Sequence, residues 1–349
     1  MSKYSNKIIK FLNNNTIHKV EFDTEDIIKQ LQNIKHTVSD IKLLEECVLE
    51  QLHSIDVNPT AYQLSGFTLD IKQYAKLYNS KKGIKIPVPV YTDKCRNILK
   101  DIMFNNTFMS LDIHQEIETT KLTHKKYIID NKHVIDIFYK VSLDCPDINK
   151  ISLIINIVSQ LLKKDKKVNL IVFFGNQKKL IDTNTTVLTC ENVNSGATYI
   201  DKLIIIWRKE EFYKVLIHEL LHYYEYYKEI ECNLPNVSGN DLTNEAYVEK
   251  LATIINCYLE NGDLHIEISF MLFQIAKIIY IFGGKTFDDY LSNKIIIKQT
   301  TNARSYYILK TQLFIDIHKY IETINKYITL LHLTKDKKWI HKTMRMTVY

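Results

Sequence analysis

The chain has 349 residues, 46% of them apolar and 25% charged, with a formal net charge of +6. Those proportions exclude a disordered or fibrous chain, and the low counts of glycine (8) and proline (5) favour long, uninterrupted elements. The lysines fall in short runs, such as Lys163 to Lys167 and Lys335 to Lys338, at expected element ends; this indicates solvated faces and no nucleic-acid footprint.

In chain order, residues 1–145 read as a mixed α/β region of open role. An apolar stripe of Ile41, Leu44, Val48 and Leu52 predicts a helix over 40–53. Pro87 and Pro89 confine Gly83 to Tyr91 to an edge strand or loop. Lys126 to Ile129 and His133 to Tyr139, separated by Asp130-Asn131-Lys132, predict a β-hairpin. A domain boundary is expected near Ser142 to Asp147, where Asp144-Cys145-Pro146-Asp147 supplies a break and a helix cap.

The second region, 146–349, gives a helix over Ile148 to Lys163 and a buried strand over Val168 to Phe174. Two further strands are expected at Asn194 to Ile200 and Leu203 to Arg208. Glu210 to Lys228 then forms a helix with acidic residues at its positive end. A second helix opens at Asn244-Glu245, with a stripe of Val248, Leu251, Ile255 and Leu259. Ile266 to Phe282 is interrupted by Glu267, Gln274 and Lys277, so it is a buried core helix and not a membrane span. Thr301 to Tyr307 opens a long C-terminal helix.

The six cysteines, at 47, 95, 145, 190, 232 and 257, form no C-x-x-C pair, which indicates reduced thiols and neither a zinc ribbon nor a disulfide framework. The N-terminus lacks the apolar core of a signal peptide. A cytoplasmic protein with no membrane partner is expected; the sequence specifies no oligomeric state.

Chemistry enters at His218-Glu219-Leu220-Leu221-His222. On a helix, positions i and i+4 share a face, so both imidazoles can reach one metal ion while Glu219, about 100° further round, addresses a water there. An accidental match within a helical interaction module is the bland alternative. A catalytic zinc site also needs a third protein ligand and an open position. Glu225 and Lys228 stand where a HExxHxxGxxH pattern requires Gly and His, so the third ligand comes from elsewhere.

The HExxH helix, followed by a second helix carrying Asn244-Glu245 and Glu249, resembles the gluzincin clan of thermolysin-like zinc peptidases. The resemblance covers roughly residues 165 to 310 and implies an α+β fold: a zincin-like metallopeptidase domain with a small sheet, an active-site helix and a helical C-terminal part, following the accessory region 1–145. It implies Zn²⁺ as cofactor, a peptide or protein as substrate, His218, His222 and Glu245 as ligands, and Glu219 as catalytic base. Asn244 and Glu249 would orient the ligand histidines. Asp241 is the rival third ligand, but it stands where a helix N-cap belongs; His265 is a weaker contender.

The clan also implies a substrate-pairing edge strand before the HExxH helix, here Asn194 to Thr198 with the small residues Ser195, Gly196 and Ala197. For the oxyanion it implies a later donor, with Arg304, Tyr306 and Tyr307 as candidates. A metallopeptidase fold kept only as a binding module is the alternative. The bias toward Ile, Lys and Asn would suit a large DNA virus or an A+T-rich microbe, with the host cytoplasm as location in the viral case.

Overall fold

The computed structural model describes residues 3–14, 106–120, 122–140, 145–229, 243–260, 262–334 and 339–349. The expectations for 40–53, for 83–91 and for Asp241 lie outside them. Along the chain run α1 (Lys3–Asn14), α2 (Leu111–Thr119), β1 (Leu122–Ile129), β2 (His133–Lys140), α3 (Ile148–Leu161) and β3 (Asn169–Phe174). There follow α4 (Cys190–Val193), β4 (Gly196–Tyr199), β5 (Leu203–Ile206), α5 (Phe212–Tyr223), α6 (Thr243–Leu259) and α7 (Leu264–Ile281). The chain continues through α8 (Phe287–Leu291), α9 (Lys310–Phe314), α10 (Ile321–Leu333) and α11 (Trp339–Lys342). It is thus a mixed α+β chain with a five-stranded sheet and a helical C-terminal part. Two compact units divide it, one spanning 69–178 and 194–226, the other 1–68, 179–193 and 227–349.

The first unit is built on a sheet of order β1-β2-β3-β5-β4, in which β2, β3 and β5 run parallel and β1 and β4 are antiparallel edges. The hairpin between β1 and β2 turns at Asp130 (φ 56°) and Asn131 (φ 53°), the left-handed pair that matches strand twist. Strand register explains the core. Ile135, Leu170 and Ile204 form one row across three strands, and Ile137, Val172 and Ile206 the next, while Phe138 pairs with Phe173 on the opposite face. On that opposite face Met109, Ile113 and Ile117 of the α2 region pack with Phe138, Phe173, Ile205 and Trp207. Burial on both faces is why β3 and β5 read as unbroken apolar runs and not as alternating patterns.

Because β2 and β3 pair in parallel, this sheet crosses the boundary expected near 142–147. Asp147 nonetheless performs the local role read from the sequence: its Oδ1 accepts from the Asn149 amide at 2.9 Å and caps α3. Helix α3 packs against α5, and α5 packs on β4 and β5.

The second unit centres on α7, whose Phe270, Phe273, Ile275 and Ile278 are buried in its main apolar cluster. Helices α1 and α10 flank it, Phe11 and Tyr327 meeting Phe273 with ring centroids 4.8 and 5.4 Å away. By length and composition α7 could cross a membrane, but 67% of its 18-residue apolar window is buried inside the protein. The polar residues that interrupt it have internal partners. Lys277 Nζ donates to Gln274 Oε1 (2.6 Å) and to the Thr343 carbonyl (2.7 Å), and Glu267 accepts from the Val348 amide (2.9 Å) and the Thr347 hydroxyl.

The expected long C-terminal helix is broken. It begins as a π turn at Ser305–Leu309, continues as α9, and gives way to a 3-10 turn at Ile317–Tyr320 before α10. Asp316 makes that stop by accepting from the His318 amide at 3.1 Å, an N-cap that restarts the chain in a new direction. No disulfide links the described cysteines Cys145, Cys190 and Cys257.

Candidate metal centre

Helix α5 carries the motif, and nearly all of it is buried; Tyr213 and His222 are its half-buried positions. The helix is shorter than its sequence pattern. Glu211 takes a left-handed φ of 58° and stands before the first turn, so Glu210 and Glu211 precede the helix where they were expected to open it. At the other end Glu225, with φ 61°, ends the helical run, and Tyr226–Glu229 forms a 3-10 turn. Tyr223, Tyr224 and Tyr226 pack inward; the Tyr223 hydroxyl donates to the Lys167 carbonyl at 2.6 Å, and burial pushes Tyr224 up to about 12.

The i, i+4 spacing does what helical geometry dictates. The Nε2 atoms of His218 and His222 stand 3.1 Å apart, with the two rings inclined by 63°. His218 and Glu219 are each only 7% exposed. Glu245 sits half-buried in the first turn of α6, where a carboxylate is favoured by the helix dipole. His218 and His222 offer two imidazole ligands from one helix and Glu245 a carboxylate from α6, together a set of ligand types that could hold a metal ion.

Glu219 is gripped by the edge strand β4. Strand alternation places Gly196 and Thr198 on one face, toward α5, and Ala197 on the other, against the α2 cluster. The Thr198 hydroxyl reaches Glu219 Oε2 at 2.8 Å and the Glu219 carbonyl at 2.9 Å. A Cβ built on Gly196 would lie 2.6 Å from Glu219 Oε1 and 2.9 Å from its Cδ. Ser195 is buried, and its carbonyl accepts from the Trp207 amide at 2.9 Å. Gly196 and Thr198 therefore serve Glu219 directly, a use the sequence reading did not assign. The signal was present in the i, i+2 spacing of Gly196 and Thr198, but only the pairing of β4 with β5 tells which face meets α5.

The remaining candidates have contacts of their own. Asn244 is half-buried in the first turn of α6. Glu249 is fully buried, with Lys310 Nζ at 3.4 Å from its Oε1. Tyr307 is buried in the helical cluster, and its hydroxyl donates to the Met344 carbonyl. Tyr306 packs against the same cluster, while the Arg304 guanidinium approaches the Tyr290 hydroxyl at 3.4 Å. His265 lies in the first turn of α7, its amide capped by Asp263 at 2.8 Å.

Neither a protein-family model, nor a curated protein, nor a solved structure matches this chain.

Proposed function

We propose that the chain is a zinc-dependent peptidase of the gluzincin type, with a zincin-like domain in which α5 carries two ligands and the base, and α6 the third ligand. The pair of imidazole Nε2 atoms brought together on α5, with the Glu219 carboxylate held on the same helix, carries this reading. The donor set suits the ion. Two imidazole nitrogens and one carboxylate are a catalytic zinc ligand set that keeps a fourth position open, and ligands at 2.0–2.1 Å from a tetrahedral ion stand about 3.3 Å from one another. The 3.1 Å between the two Nε2 atoms is close to that spacing.

A zinc ion bound there would supply Lewis acidity toward a carbonyl oxygen and toward water. The protein's own residues do the rest. Glu219, held beside the ligand pair, takes a proton from the attacking water at a carboxylate oxygen and passes it to the leaving amine, so the amide bond is exchanged for a carboxylic acid and an amine. Among the described residues β4 ends the sheet with no strand beyond it, and an extended peptide can add to such an edge through main-chain hydrogen bonds.

The test is metal content and hydrolysis of unstructured protein substrate by wild-type chain and by Glu219→Gln. Near-stoichiometric zinc in both, with turnover only in the wild type, supports the reading. Zinc without turnover in the wild type favours a binding protein with a metallopeptidase-like site, and absence of zinc defeats both.

A further inference from the structure

Resting on the hydrolytic reading, we infer that Thr198 is a positioning residue for Glu219, and that Gly196 is glycine to leave room for the carboxylate so placed. A glutamate side chain has three rotatable bonds, and packing alone seldom fixes the outermost one. Here two atoms of Glu219 meet one hydroxyl: Oε2 at 2.8 Å and the main-chain oxygen at 2.9 Å. That hydroxyl has one proton to give, to the carboxylate or to the carbonyl oxygen, and its place between the two keeps the carboxylate close to the Thr198 side chain.

The anchor is itself rigid. Thr198 is β-branched, with a restricted χ1, and it lies on a strand whose register with β5 pairs it with Ile204. Two residues earlier, on the same face, the Gly196 Cα stands where any side chain would strike Oε1, Cδ and Cγ of Glu219 at 2.6 to 2.9 Å. One strand thus supplies a donor on one side of the carboxylate and a surface of close approach on the other. A threonine that served only to bond a helix carbonyl would need no such clearance at Gly196.

Thr198→Val keeps the shape and removes the hydroxyl; Thr198→Ser keeps the hydroxyl and removes the methyl. Crystal structures of the metal-free wild type and both variants give the Glu219 conformation, and steady-state kinetics of the zinc-loaded proteins give kcat and KM separately. The expected result is a Glu219 side chain that leaves its single conformation in Thr198→Val and returns to it in Thr198→Ser. With it, kcat falls about 10- to 100-fold in the valine variant, KM stays within about twofold, and serine restores kcat. An unmoved Glu219 in Thr198→Val, or an unchanged kcat, overturns the inference. Wild-type protein that neither holds zinc nor hydrolyses peptide overturns the hydrolytic reading instead, and the crystallographic comparison still decides for or against the positioning role.

Discussion

Between His218 Nε2 and His222 Nε2 lie 3.1 Å, too short for two rings that merely share a helix face without an interaction between them. Without a metal, one ring donates an N–H to the other, and either of the two can be the donor. With a metal, both nitrogens would give their lone pairs to the same ion. His218→Ala should therefore lower zinc occupancy from near-stoichiometric to a small fraction, read by elemental analysis after gel filtration in the presence of a weak chelator. Because His218 is buried in α5, its removal also leaves a cavity, and thermal unfolding of the apo protein should show a loss of about 1–3 kcal/mol.

Glu219→Gln keeps volume and hydrogen bonding near Thr198 while removing the base. Turnover should fall by about 10²- to 10⁴-fold, the typical contribution of a positioned general base, with zinc content unchanged. Loss of zinc in this variant would mean that Glu219 acts as a ligand.

Gly196→Ala places a methyl 2.6 Å from Glu219 Oε1, so the carboxylate must move. Hydrolysis should drop by at least tenfold, and the cost in folding stability should be about 1–3 kcal/mol, typical of overpacking.

Glu267 provides a test away from the site. Burial raises its carboxyl from the ordinary 4.5 to about 7, against the hydrogen bonds from Thr347, Val348 and Tyr349 and the charge of Lys310, which pull it down. The folded state thus keeps a proton that the unfolded chain has lost. The associated stability is fully present below about pH 4.5 and is lost as pH rises to about 7, a change of order 3 kcal/mol, after which the profile is flat. Denaturant unfolding from pH 5 to pH 8 should show this decline in the wild type and a reduced one in Glu267→Gln.

Much of this arrangement was legible in the sequence, for reasons that differ by element. Apolar periodicity located α3, β3, α6 and α7 because each buries a stripe or a whole surface in its own unit. Asp130-Asn131 marked the hairpin because few other pairs tolerate two successive positive φ values. The HExxH spacing gave the histidine pair, since a helix fixes it locally. What stayed hidden depends on partners distant in the chain. Nothing in β2 announces that it pairs in parallel with β3 across a Pro-containing break, and nothing at Glu249 announces Lys310, 61 residues on. Similarly, Thr198 and Glu219 are 21 residues apart, and only the packing of α5 on β4 brings them together.

The most direct measurement is zinc per chain, by elemental analysis of wild-type protein and of Glu245→Ala purified side by side without added metal. Near one zinc per wild-type chain, and a markedly lower value in Glu245→Ala at unchanged fold, is the predicted result. A wild-type chain without zinc, or a Glu245→Ala chain that keeps its full complement, would contradict the three-ligand centre.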